Sequence, residues 1–596
     1  MTEVRSLFST TAKATSYASA DTQQQCGLFA TTDYKEGDVI LEETPIVALS
    51  QLLDTFVNQK PLVATTSSVR DVIRSQFNPS SFSDEKSTEG ETDNANDKSS
   101  PLTNLVIPKE IMDKMKSSPS QSIDARTKKL RGMILAVATY AAFPLSGDDA
   151  KKQLFELYHP SLEDNQDEQT SKAVELAKFA LQCCKEQASP DSALYKLVLG
   201  TSDNHTKESE VLKLILIYSC NAFEGGRIYH KLSRVNHSCN PNAVVVEGDT
   251  SDVSILKAAC DISKGSEITI SYLGKELYAA YPFRQRKLML DKHFTCRCTR
   301  CTGNNAEELT SCKAGNVSLD LASRIPCPIC HPRTSRYLDE DLMFDEEEDD
   351  LHVSYALAEN GMTPEERNLH CTSCAGVTSV STEGSVRKKK EGMTIKYMTL
   401  AEEKVFEEIE TSKFSEKDRA SDEQDVDRSL LQMATATCGS KHWTTQILSL
   451  TIIEEALANL QTTLMTVNPE EDKKLMEEIF CEIAECADGI EKAFTYAKSL
   501  KLNLDPAHWL FDYVLGLSRT LVGLGDEKSQ KYGADWILRV DDYASRYESE
   551  GMRKVVAAIK NAWKRDHEMM AEALDDAKNN SLDNDLQGEA KRRKVG

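Results

Sequence analysis

The sequence predicts an α+β protein: a strand-rich domain split by a long, largely helical insertion, then two cysteine-built zinc modules and an all-helical C-terminal domain. Three observations carry this prediction. Short β-type runs punctuated by glycines occur on both sides of a helical stretch, close cysteine groups follow the second set, and helical periodicity dominates the remainder. At 596 residues the chain exceeds what one hydrophobic core serves, so several structural units are expected.

Residues 1–24 are polar and rich in Ser, Thr and Gln, and read as a loose, disordered tail. Over 25–50, Gly27-Leu28-Phe29-Ala30, the Tyr34-Lys35-Glu36-Gly37-Asp38 turn and Val39-Ile40-Leu41 read as strand, turn, strand. Residues 51–210 form the insertion, with helical patterning over 128–143, 171–186 and, running past its end, 209–223. The stretch 78–101 inside it is too polar to build a core and is expected to be disordered. Strand patterning returns over 211–290. Candidates are 243–246 and 253–257, and Glu267-Ile268-Thr269-Ile270-Ser271-Tyr272 alternates with a period of two after the Lys264-Gly265 turn. The apolar run 212–218 reads as a buried strand or helix. Residues 282–292 read as a basic helix leading into the first cysteine group, at 291–303. A zinc-ribbon-like module is expected over 325–399. Helical periodicity over 444–464, 472–498, 507–521 and 551–577 predicts stacked helix pairs across 400–590. That region is tetratricopeptide-like without a clean 34-residue signature.

With 95 acidic against 71 basic residues, the formal charge is -24. A field of that sign disfavours direct sequence-specific nucleic-acid binding and anionic membrane surfaces, and attracts basic partners. No apolar run is long enough to span a bilayer and the N-terminus lacks a signal core, so no membrane role is expected. The chain is read as a monomer of cytoplasm and/or nucleus. Lys591-Arg592-Arg593-Lys594 reads equally as an import signal or a solvated tail.

Eight of the 17 cysteines are concentrated in three close groups and one lone partner. Cys296, Cys298 and Cys301 supply three close thiols, one short of a tetrahedral zinc shell, and Cys239 is the leading fourth ligand. Cys327, Cys330, Cys371 and Cys374 make two Cys-x-x-Cys pairs that suit a second structural zinc, with His331 and His370 as alternative donors. Four protein ligands leave no coordination position open for water, so both sites read as structural. Cys183, Cys184, Cys220 and the other isolated cysteines read as ordinary core or surface thiols.

Together, Gly27-Leu28-Phe29-Ala30, Asn221-Ala222-Phe223, Asn236-His237-Ser238-Cys239-Asn240-Pro241-Asn242, Gly265 through Tyr272, and Phe294-Thr295-Cys296-Arg297-Cys298-Thr299-Arg300-Cys301 resemble the SET domain family. The likeness is greatest to its SMYD-related branch. The resemblance implies a split SET-domain β fold with a helical insertion and a post-SET zinc site. It also implies binding of S-adenosylmethionine and N-methylation of protein lysine, with histone tails the obvious substrate class by analogy. It places Cys26, Gly27, Leu28, Asn221, Asn236, His237, Tyr272 and Phe294 at the cofactor, with Phe294 near adenine and Tyr272 as the catalytic tyrosine. The SMYD branch commonly carries a MYND zinc finger in the first part of the domain. No cysteine occurs between Cys26 and Cys183, so the chain reads as SMYD-like without that finger. The family's Gly-x-Gly before the first strand reads Gln25-Cys26-Gly27 here. That lost glycine favours the alternative reading, a catalytically weak SET-domain adaptor that binds protein partners.

Overall fold

In a computed structural model of the chain, the residues described are 2–6, 26–48, 76, 107–116, 123–142, 145, 148–160, 162, 168–199, 204–223, 226–248, 253–302, 319–326, 353–357, 369–371, 377–378, 401–406, 421–464, 473–521, 527–548 and 550–565. The strands are β1 (Thr2–Ser6), β2 (Cys26–Ala30), β3 (Val39–Glu43), β4 (Val47–Ala48), β5 (Arg227–Ile228), β6 (Asn236–His237), β7 (Ala243–Glu247), β8 (Ser254–Ala258), β9 (Glu267–Ile270), β10 (Leu319–Pro326), β11 (Val353–Leu357), β12 (Leu369–Cys371) and β13 (Val377–Thr378). Between β4 and β5 lie α1 (Lys109–Lys116), α2 (Ile123–Ala142), α3 (Asp148–Phe155), α4 (Glu168–Gln187), α5 (Ala193–Val198) and α6 (Asn204–Asn221). After β9 come α7 (Tyr281–Lys292), α8 (Thr299–Thr302), α9 (401–406), α10 (Ser421–Cys438), α11 (Trp443–Leu464), α12 (Lys473–Ser499), α13 (Pro506–Leu521), α14 (Glu527–Tyr547) and α15 (550–565).

The strand-rich domain is built from small sheets rather than one large one. Their orders are β1-β2-β9-β6, β3-β8-β7 and β4-β5. Alternation in Glu267-Ile268-Thr269-Ile270 buries Ile268 and Ile270 against Leu28, Tyr229 and Leu256. The turns before β3 and β9 require positive φ, which Gly37 (+85°) and Gly265 (+86°) adopt without a Cβ clash.

Two sequence expectations are corrected by the backbone. Residues 2–6 of the supposedly loose tail form β1, antiparallel to β2 with Thr2 opposite Ala30 and Ser6 opposite Cys26. The free edge of β2 offers unpaired backbone groups, and the β-branched Thr2 and Val4 suit a strand there. The boundary at 211 also falls inside a helix. Val211, Leu212, Ile215 and Leu216 lie on α6 and share the core of α2 and α4, so the helical insertion extends to Asn221.

The C-terminal helices share one core with the end of the strand-rich domain. Leu273, Leu277, Tyr278 and Phe283 pack in the same cluster as Trp443, Ile490 and Leu510. The Tyr278 ring stacks on Trp509 at 4.0 Å, and the Tyr496 hydroxyl donates to the Tyr278 carbonyl at 2.5 Å. At a second contact, Arg546 pairs with Glu36, Asp505 and Asp542, while the Tyr547 hydroxyl donates to Glu36 at 2.7 Å.

β10 to β13 form a separate antiparallel sheet, with Pro326 opposite Val353 and Cys371 opposite Ser354. Cys371 ends β12, whereas Cys327, Cys330 and Cys374 lie outside the described residues. So do 78–101, Gln25 and the basic cluster at 591–594. Among the described residues no helix is long and apolar enough to cross a membrane.

Candidate active site and metal centre

The site is organised by β9, which lies between β2 and β6. Leu28 sits opposite Ile268 on one side, while Asn236 and His237 sit opposite Thr269 and Ile270, in parallel, on the other. One strand thus brings together segments more than 200 positions apart in sequence. Side chains complete the pairing where the backbone cannot. Asn242 accepts from the Thr269 N–H at 2.8 Å and donates to the Glu267 carbonyl at 2.9 Å, imitating an added strand. The Glu43 carboxylate accepts N–H groups of His230, Lys231 and Leu232, fixing the tight 3-10 turn Leu232–Arg234 just before Asn236.

Gly27 is packed so closely that a Cβ would stand 2.9 Å from Glu267 Oε1 and 3.0 Å from Asn236 Nδ2. Those two groups are bonded to each other at 2.6 Å. Gly27 carries no positive φ, so its smallness is needed here for close approach and not for turning. Cys26 is the first residue of β2, so the strand read from Gly27 onward begins one residue earlier.

Tyr272 follows β9 directly. Its hydroxyl donates to the Val235 carbonyl at 2.6 Å, and its N–H donates to His237 Nδ1 at 3.0 Å. Because Nδ1 accepts, the imidazole proton belongs on Nε2, which faces Cys239 Sγ at 3.2 Å. Burial, followed by the charges of Cys220 and Glu267, pushes the Tyr272 phenol well above its ordinary range and keeps it neutral. The rings of His237 and Phe294 lie 5.4 and 6.2 Å from that of Tyr272, the latter edge-on at 88°.

A cavity of about 340 Å³ opens beside Tyr272 and is bounded also by Asn221, Phe223, Ser233, Ile270 and Lys292. Asn221 commits both amide hydrogens to the Tyr158 and Ile217 carbonyls, each at 2.7 Å, so only its oxygen remains to face a ligand. Sequence reasoning missed Lys292, Glu267, Asn242 and Glu43. Lys292 lay within the recognised basic helix, but nothing in a helical pattern says that one of its lysines turns inward.

Beneath the aromatic group, the sulfurs of Cys239, Cys296, Cys298 and Cys301 all lie within 4.8 Å of one another. A tetrahedral Zn–S shell with bonds of about 2.3 Å needs sulfurs roughly 3.8 Å apart, so the donor set fits zinc. α7 ends at His293 in the left-handed conformation, φ 61°, and this turns the chain back toward Cys239. Gln285 holds the returning loop, accepting from the Cys296 N–H at 2.8 Å and donating to Cys301 Sγ at 3.2 Å. Hydrogen bonds with the neighbouring thiols of Cys296, Cys298 and Cys301 hold Cys239 well below the usual thiol range. Arg284, almost wholly buried, and Arg300, which donates to the Cys239 carbonyl at 3.0 Å, supply positive charge beside the four sulfurs. This is the one cysteine cluster with metal-binding geometry among the described residues.

Residues 25–273 match the family model described as SET domain. That stretch, which takes in β2 through β9 and the helical insertion between them, is what the chain shares with SET-domain proteins. Among curated proteins it is similar to Histone-lysine N-methyltransferase ASHR1 of Arabidopsis thaliana, 37% identical over 94 residues, covering 14% of this chain and 19% of that one. Histone-lysine N-methyltransferase SET5 of Saccharomyces cerevisiae is 30% identical over 110 residues, covering 18% and 20%. N-lysine methyltransferase SMYD2-A of Xenopus laevis is 28% identical over 129 residues, covering 20% and 29%. The matches therefore span only about a fifth to somewhat over a quarter of these relatives' lengths.

Proposed function

We propose that the chain is an S-adenosylmethionine-dependent protein-lysine N-methyltransferase with Tyr272 at its catalytic centre. The observation that carries the reading is the placement of Tyr272 beside an open cavity, tied through His237 to a four-cysteine cluster. The residues suit the cofactor: an aromatic group at Phe294 and His237 for a ring system, and polar atoms of Asn221 and Ser233 for an amino-acid headgroup. When bound, S-adenosylmethionine supplies an electrophilic methyl group on sulfur.

The protein's task is to present a lysine amine that is neutral and in line. A free lysine has a pKa near about 10.4, so the amine must shed a proton before its lone pair is available. The Tyr272 hydroxyl and the Val235 carbonyl that it already engages form a polar pair that orients the amine, converting a loose encounter into a directed one. The neighbouring ring faces stabilise a cationic methylated product. Cys239, Cys296, Cys298 and Cys301 would hold zinc as a structural clamp, which shapes the wall of the site and takes no part in the transfer.

We further place the chain in the SMYD-like branch without a MYND finger, acting on lysine-rich protein segments such as histone tails. Its strongly acidic character suits such basic acceptors. It works as a monomer in cytoplasm and/or nucleus. A second zinc is assigned to Cys327, Cys330, Cys371 and Cys374. In the sequence Cys327 directly follows the last residue of β10, Pro326, and Cys371 is the last residue of β12.

The test is Tyr272→Phe. Transfer of labelled methyl to extract proteins should fall by about 10² to 10³, while cofactor affinity changes by less than about threefold. Full transfer by the variant would remove Tyr272 from the mechanism. An intact protein without saturable cofactor binding would favour the adaptor reading instead.

A further inference from the structure

Lys292, the last residue of α7, is half-buried, and its ammonium nitrogen stands 5.5 Å from the centre of the Tyr272 ring. It donates to the Cys220 carbonyl at 3.0 Å and helps to line the cavity that Tyr272 borders. Among the described residues no carboxylate lies within ion-pair distance of it. The charged and titratable groups around it are Lys129 of α2, Cys220 of α6, Asp291 of its own helix and the neutral phenol of Tyr272. Lys129 is half-buried too, and its ammonium donates to the Leu290 carbonyl at 3.2 Å. Two half-buried amines therefore stand near each other with backbone carbonyls as their hydrogen-bond acceptors.

We propose that Lys292 is the proton acceptor for the incoming lysine in the methyl-transfer cavity. The inference rests on the methyltransferase reading and deepens it. An acceptor lysine arrives as an ammonium ion, and a low-dielectric cavity does not hold two such cations side by side. Lys292 is the one prepared to be neutral: burial first, then the charge of Lys129, lowers its affinity for a proton, and Asp291 and Cys220 only partly offset this. A neutral amine keeps two N–H groups, one of which is engaged by Cys220, and has one free lone pair. In the step, an N–H bond of the acceptor ammonium breaks and its electron pair stays on the acceptor nitrogen. A new N–H bond forms on Lys292 Nζ. The proton then leaves Lys292 for water at the cavity mouth before the next turnover.

Two measurements on the full-length protein test this. The first is trace acetylation with acetic anhydride from pH 6 to 11, read residue by residue by mass spectrometry. Lys292 should reach half-reaction at least about one pH unit below Lys474, whose side chain is 90% exposed. A Lys292 curve that coincides with that of Lys474, or no reaction at any pH, overturns the proposal, because a proton acceptor must be both neutral and open to the cavity. The second is methyl incorporation from labelled S-adenosylmethionine into total extract proteins between pH 6.5 and 10. Lys292→Met should lose about 10²-fold at pH 7, and the deficit should shrink about tenfold per pH unit as the acceptor deprotonates unaided. Lys292→Arg, which is permanently protonated and accepts no proton, should behave like Lys292→Met. Parallel pH profiles for Lys292→Met and the parent, or parental activity in Lys292→Arg, overturn it. If the parent itself transfers no methyl, the methyltransferase reading fails, whereas a failure confined to Lys292 shows in the variant profiles alone.

Discussion

Cys239→Ser tests whether the four-cysteine cluster is a metal clamp. Cys239 is the one thiol of the four that comes from the strand-rich domain, whereas Cys296, Cys298 and Cys301 follow each other within the short 296–301 segment that runs into α8. A zinc ion shared among them cross-links residue 239 to the 296–301 segment and closes a loop of about 58 residues. Treated as a covalent cross-link, that closure removes about 4 kcal/mol of unfolded-state entropy. For a cooperative unit of a few hundred residues, this corresponds to a fall of roughly 10 °C in melting temperature. Elemental analysis should find one zinc fewer per chain in the variant, and calorimetry should find the lower transition. A chelator should bring the parent to the variant's transition while shifting the variant much less. Unchanged zinc content, or a variant that melts with the parent, would refute the clamp.

Arg546→Ala should destabilise the contact between α14 and the strand-rich domain by about 1–2 kcal/mol, since its three ion pairs are half-exposed and partly screened. The deficit should narrow in 1 M salt when followed by denaturant melts. His508 is held at a pKa of about 4 by burial, which the charge of Asp505 only partly offsets. Between the unfolded value near about 6.5 and that of the fold, the unfolded chain binds the extra proton, so stability should fall as pH drops through this window. In His508→Gln this part of the slope should disappear from melting temperatures measured between pH 7 and 4.

The parts of the site that were legible in the sequence are those whose chemistry is local. The period-two alternation of β9 and the cysteine spacing at 296–301 each carry their meaning within a few residues. What was not legible depends on pairing across distance. Thr2–Ser6 has the composition of a tail and becomes a strand only because β2 leaves an edge open. Asn221 looks like a ligand, yet spends its amide on Tyr158 and Ile217, contacts that only the packing of α6 creates. Arg546 meets Glu36 across 510 positions, and no periodicity within α14 announces that partner. Lys292 is one basic residue among several on α7, and its burial depends on where α2 and α6 pass.

The position of β9 between β2 and β6 also constrains how the chain is made. β2 can pair with β1 at once, but its other neighbour, β9, is not complete until residue 270, and Cys301 follows later still. At about 5–20 residues per second, the β1–β2 pair waits on the order of ten seconds or more for β9. The helices at 109–221 make mostly local contacts and can collapse in that interval. The insertion would then be an early-folding island around which the strand-rich half assembles last. Slowing synthesis between residues 221 and 301 should therefore prolong the exposure of β2 and β3 while leaving the helical island intact.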